Sequence, residues 1–165
     1  MRIVFATLLL LGLPLTTHAK ASGAPPRSAT APHFVLPTRD GSVALDSLRA
    51  KVVLIDFWAS WCEPCRRSFP WLESMHERYS GKGLAIVAIN LDKTRDPAFA
   101  FLEKYPARFT VAFDPDGKTA EAFKVKGMPS SFVLGPTGAI LHAHSGFDPK
   151  KTGAIETLIQ EACSR

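Results

Sequence analysis

Val52 to Trp58 is a continuous apolar run interrupted only by Asp56. A strand exposed on one face alternates apolar and polar residues, so an unbroken run of this length reads as a strand buried on both faces, as in a parallel or mixed sheet. The run leads, after a three-residue break, into Cys62-Glu63-Pro64-Cys65 and then a helix-periodic stretch. A cysteine pair at the junction of a buried strand and a helix constrains both the architecture and the chemistry.

The rest of the chain extends this pattern. Phe34-Val35-Leu36 and Ser42-Val43-Ala44-Leu45 flank Asp40-Gly41 and read as a hairpin. A helix is expected from about Cys62 to Tyr79, with Phe69, Leu72, His76 and Tyr79 on one face and a kink at Pro70. Leu84 to Leu91 is a second buried strand. Asp96-Pro97 reads as an N-cap with proline at the first helical position, and Ala98, Phe101, Leu102 and Tyr105 carry that helix to about Pro106. A strand over Phe109–Phe113 and a short helix over Thr119–Lys124 follow. Strands Ser131–Leu134 and Ala139–His144 join through Gly135-Pro136-Thr137-Gly138, and a last helix opens at Asp148-Pro149 with Ile155, Leu158, Ile159 and Ala162 on one face. The βαβ start predicts parallel pairing and the closing hairpin antiparallel pairing, so the sheet is mixed, with helices packed on it.

Four-ligand zinc, haem attachment and a structural disulfide compete for the cysteine pair. The chain has 3 cysteines, too few for a four-thiolate zinc site, and no second pair stands at suitable spacing. Haem attachment needs His after the second cysteine, where Arg66 stands. A bridge across two residues closes so small a loop that it stabilises little. Redox exchange remains. The helix N-terminus favours a thiolate at Cys62, the nucleophile, while Cys65, one turn further in, can attack the mixed disulfide and release the product.

The run Asp56-Phe57-Trp58-Ala59-Ser60-Trp61-Cys62-Glu63-Pro64-Cys65 resembles the thioredoxin superfamily. Cys62 and Cys65 fall on its active-site pair, Pro64 on the proline between them and Pro70 on its kink proline. Gly127-Met128-Pro129-Ser130 is similar to the family's loop with a cis-proline facing the disulfide. The likeness covers roughly residues 33–163. With the N-terminal segment, the early hairpin and an extra helix near residues 97–105, it points to the TlpA/ResA-like branch of periplasmic thiol–disulfide oxidoreductases. It implies a thioredoxin-like three-layer α/β/α sandwich with a mixed central sheet, an N-terminal β-hairpin and a helix inserted in the middle. Ser68 stands where that branch often carries Glu, and Ser130 where the cytochrome c-maturation branch usually has an acid.

Site expectations follow. Asp56, a carboxylate in an apolar strand, should have a pKa raised toward neutrality; the resemblance implies that it relays protons to Cys65. The resemblance also implies a cis Pro129 that lets the neighbouring backbone pair with substrate and keeps metals off the thiols. Catalysis is therefore assigned to Cys62, Cys65, Asp56 and Pro129, with Trp61, Glu63, Pro64 and Met128 in support. Glu63 opposes thiolate formation and predicts a reducing couple, while Arg66 and Arg67 act the other way. Trp61 is expected in an apolar docking surface and Trp58 in the core. His142 and His144, two apart on a strand, are read as a solvated face, and Cys163 as a partly buried free thiol.

Met1-Arg2 followed by the apolar stretch Ile3–Leu15, with small-residue patterns at Thr17-His18-Ala19 and Ala19-Lys20-Ala21, is the layout of a cleaved secretory signal. The run of about 13 residues is shorter than the roughly 20 that span a bilayer; a signal anchor in the inner membrane is the alternative. The expected organisation is a signal peptide over 1–21, a flexible Ala/Pro/Ser linker over 22–32 and one domain over 33–165. The net charge of +5 is scattered, which argues against nucleic acid. A periplasmic monomer is expected that reduces protein disulfides, draws electrons from a membrane donor, and uses no cofactor or metal beyond the cysteine pair. The alternatives are a peroxiredoxin-like peroxidase, and a copper-delivery module using Cys62, Cys65 and His142 or His144.

Overall fold

The sheet is built outward from the apolar run. A computed structural model describes residues 29–164. The elements are β1 (Val35–Pro37), β2 (Ser42–Ala44), β3 (Val52–Trp58), α1 (Glu63–Tyr79), β4 (Leu84–Asn90), α2 (Asp96–Lys104), β5 (Thr110–Phe113), α3 (Lys118–Ala122), β6 (Ser130–Leu134), β7 (Ile140–Ser145) and α4 (Thr152–Cys163). The main sheet has the order β5-β4-β3-β6-β7. β3 pairs parallel with β4 and antiparallel with β6, so the sheet is mixed as expected.

Every residue of β3 is buried, and its side chains alternate between two cores. Val52, Leu54 and Trp58 pack with α1, α2 and α4 on one face. Val53, Ile55 and Phe57 pack on the other with the β1–β2 hairpin and the region of α3. Aromatics fill both layers. Trp58, Phe69 and Phe101 stack mutually at 4.7 to 4.8 Å between centroids, and Phe123 meets Phe57 at 5.3 Å and Phe132 at 5.0 Å. Each such side chain contributes about 1.5–3 kcal/mol on burial. This is a three-layer thioredoxin-like arrangement.

Several boundaries fall a residue or two from expectation, and three differences have a physical reason. Asp96 is the first residue of α2 rather than its cap; Arg95 holds the cap position without a side-chain bond. α4 begins at Thr152 rather than Asp148, because Asp148 is spent on a turn of its own: Lys150 N–H donates to its carboxylate at 3.0 Å and Lys151 N–H to its carbonyl at 2.9 Å. The last residues of the expected linker are tied to the β6–β7 turn by an isolated bridge. Ala31 N–H donates to the Gly138 carbonyl at 2.9 Å, Ile140 N–H donates to the Ala29 carbonyl at 2.8 Å, and Ala31 is buried. The expected signal segment lies outside the described residues. No helix among the described residues is long and apolar enough to cross a membrane.

Candidate active site

β3 delivers the chain to the sheet end where α1 starts. Ala59 to Trp61 turn there, and this turn is anchored by a residue that sequence reading missed. Asp92, buried just after β4, accepts from Ser60 N–H at 3.1 Å and from the Ser60 hydroxyl at 3.1 Å. Asn90 orients that carboxylate through its side-chain amide at 2.9 Å. An Asn-x-Asp at a strand end was the available signal.

Cys62 is the N-cap of α1, with Pro64 in the first turn. Cys62 and Cys65 are joined as a disulfide, with Cα atoms 5.3 Å apart. The Cys65 N–H donates to Cys62 Sγ at 3.3 Å. The same N–H also donates to the Cys62 carbonyl at 3.1 Å, so an amide of the helix start is shared with the outer sulfur and favours negative charge there once the bond opens. Cys62 is 5% exposed and Cys65 fully buried, so a partner reaches the outer sulfur first. Ser68, one turn on, is buried and donates to the Cys65 carbonyl at 3.1 Å.

Asp56 is 1% exposed, and the Ser131 hydroxyl donates to its Oδ1 at 2.5 Å from the neighbouring strand. Burial pushes the carboxyl up to about 7; the Ser131 bond opposes the shift and is the smaller effect. The carboxyl can therefore take and return a proton near neutral pH. Ser131 was not singled out from sequence, since its partner lies 75 positions away and only strand register joins them.

The Met128–Pro129 peptide bond is cis. Ser130 pairs with Phe57, which sets buried Pro129 at the sheet end that carries the cysteines. The loop is fastened on both sides: the Ser130 hydroxyl donates to the Gly127 carbonyl at 2.6 Å, and Gly146 N–H donates to the Pro129 carbonyl at 2.7 Å. Met128 is half-buried beside it. Trp61 is 68% exposed, an apolar ring held out next to Cys62, whereas Trp58 is fully buried in the core.

Glu63 lies exposed at the start of α1 and accepts from Arg66 at 2.7 Å, so its charge is matched rather than free beside Cys62. His142 and His144 do share a face, with ring centroids 5.6 Å apart, but they are half-buried rather than a solvated surface. They line a cavity of about 700 Å³ bordered by α1, α4 and the turn before α4. The described residues hold no cluster of three or more His, Cys, Asp or Glu that could hold a metal ion. Cys163 is a buried free thiol at the far end of α4.

The chain is similar to known proteins. The AhpC/TSA family profile matches residues 28–143. The chain is 32% identical over 117 residues to thiol-disulfide oxidoreductase ResA of Bacillus subtilis (strain 168), covering 70% of this chain and 65% of the relative, less than two thirds of that protein's length. It is 33% identical over 139 residues to thioredoxin-like protein YneN of the same organism, covering 82% of this chain and 81% of the relative. The crystal structure of a Chlorobium tepidum protein assigned as a thiol:disulfide interchange protein DsbE superposes with a TM-score of 0.80 at 46% identity, covering 85% of this chain and 99% of that one.

Proposed function

The chain belongs to the AhpC/TSA family of thioredoxin-like proteins, and from that premise we propose that it is a protein thiol–disulfide oxidoreductase that works outside the cytoplasm and reduces partner disulfides. The observation that carries this reading is Cys62 at the N-cap of α1, bonded to Cys65 and receiving the Cys65 amide. In the reduced protein, Cys62 thiolate attacks one sulfur of a partner disulfide. A Cys62–partner bond forms and the other partner sulfur leaves as a thiolate. Cys65 then gives its proton to the Asp56 carboxylate and attacks Cys62 Sγ. The Cys62–Cys65 bond forms, the second partner sulfur leaves, and two electrons have passed to the partner. A membrane-bound donor would restore the dithiol. No further cofactor is invoked, and the working unit is a monomer.

Two features support the details. The leader-like sequence over 1–21 supports export to an oxidising compartment. Glu63 beside Cys62 supports the reducing direction, weakened by its pairing with Arg66. A Cys65→Ser variant, unable to resolve the exchange, should accumulate a mixed disulfide through Cys62 with protein partners in the compartment extract; the partners, identified after release by reductant, define the substrate class. No adduct, together with Cys62 reacting no faster than a free peptide cysteine, overturns the proposal. A potential near about −120 mV, that of a dedicated oxidant, overturns the direction and leaves the exchange chemistry standing.

A further inference from the structure

Asp56 is sealed from solvent, yet the exchange proposed above loads it with a proton at every turnover. That proton has to leave before the next cycle. The sheet register offers a route in one direction only. Asp56 pairs on the β4 side with Ala88, which is apolar and buried. On the β6 side it pairs with Ser131, and Ser131 pairs in turn with His144 on β7. Paired positions on adjacent strands put their side chains on the same face. Asp56, Ser131 and His144 therefore form a row across three strands, on the face covered by α1 and α4.

The atoms of the row are placed for transfer. Ser131 Oγ already bonds Asp56 Oδ1 at 2.5 Å. Asp56 Oδ2 and His144 Nδ1 are both buried and have no protein partner among the described residues. Ser131 and His144 stand directly opposite on neighbouring strands, so their side chains are adjacent. His144 lines the cavity of about 700 Å³. The groups that face it there are His142 on its own strand and Asp148, Lys150 and Lys151 from the turn before α4; α1 presents the neutral Trp71 and α4 no charge.

We propose that Ser131 and His144 are positioning residues that form a proton path from Asp56 to this cavity, with His144 as its solvent-side station. This deepens the function proposed above and rests on it. The Asp56 acid gives its proton to the Ser131 oxygen as the Ser131 hydroxyl proton passes, through a bridging water, to His144 Nδ1. His144 releases a proton from its other ring nitrogen to solvent. Only O–H and N–H bonds change, no electrons move, and Asp56 returns to the carboxylate. Burial, and then His142, hold the His144 pKa below its ordinary value, so the ring is neutral and free to accept at neutral pH.

The test is steady-state reduction of insulin disulfides with dithiothreitol as donor, in dilute buffer across about pH 6 to 8. His144→Gln should slow turnover by about tenfold or more in dilute buffer, with added imidazole restoring it. Ser131→Ala should show the same loss, and Ser131→Thr, which keeps the hydroxyl, should recover most of the rate. Wild-type turnover for His144→Gln at every pH, a deficit that imidazole leaves unchanged, or loss of Cys62 alkylation in the same variants overturns the path. Failure of the wild-type protein itself to exchange disulfides overturns the parent reading instead, so the two failures are distinguishable.

Discussion

Arg66 reaches back one turn of α1 to hold the Glu63 carboxylate, Nη1 to Oε2 at 2.7 Å, within a few residues of both active sulfurs. Both side chains are exposed, so solvent and salt screen them. Glu63→Gln should therefore speed iodoacetamide capture of Cys62 in the reduced protein by less than about threefold. Arg66→Gln leaves Glu63 unmatched and should slow capture. A large acceleration in the first variant, or no change in the second at low salt, would show that the pairing does not govern the local charge.

Asp56 ties stability to pH. Its folded-state pKa of about 7 lies above the ordinary 3.8, so the folded protein binds this proton more tightly than the unfolded chain. The stabilisation is full below about pH 4 and is lost as pH rises through 7. Asp56→Asn removes that loss and should gain about 2–4 kcal/mol on the wild type at pH 8 relative to pH 4. Urea denaturation of the oxidised proteins at the two pH values measures it; an identical difference at both refutes the linkage.

Ser68 is 2% exposed and sits one turn beyond Cys65. A carboxylate introduced there would be desolvated, and its raised pKa would make the cost grow with pH. Ser68→Glu should destabilise the protein by about 2–4 kcal/mol at pH 8 and by less at pH 5. Equal thermal midpoints for variant and wild type at pH 8 would show that the site opens to water.

Cys163 is 5% exposed, and burial pushes its thiol pKa up despite the nearby Lys51 and Lys82. With Cys62 and Cys65 bonded to each other, it is the one free thiol of the oxidised chain. A thiol reagent should label it at least about a hundredfold more slowly in native buffer than in urea. Rapid native labelling would place it at the surface.

Local features were legible in the sequence, and features set by strand register were not. The cysteine pair at a strand–helix junction is local, so spacing and the following proline identify it. Asp56 stands out because a charge in an apolar run is conspicuous. Ser131 does not: a serine at a strand start is ordinary until pairing puts it against Asp56. The two-residue spacing places His142 and His144 on one face, but the packing of Trp71 and α4 that half-buries them lies outside the strand's own pattern. Asp148 misled for a physical reason. Asp-Pro suits a helix start and a turn equally, and here the turn takes the carboxylate. Asp92 escaped notice because its work is to hold a backbone amide 32 positions away.

The stitch of Ala29 and Ala31 to the β6–β7 turn lies at the end of the sheet from which β3 sets out, and Cys62 follows the end that β3 reaches. A strand of that length separates the two ends by about 23 Å. Residue 29 thus lies at the pole opposite the sulfurs.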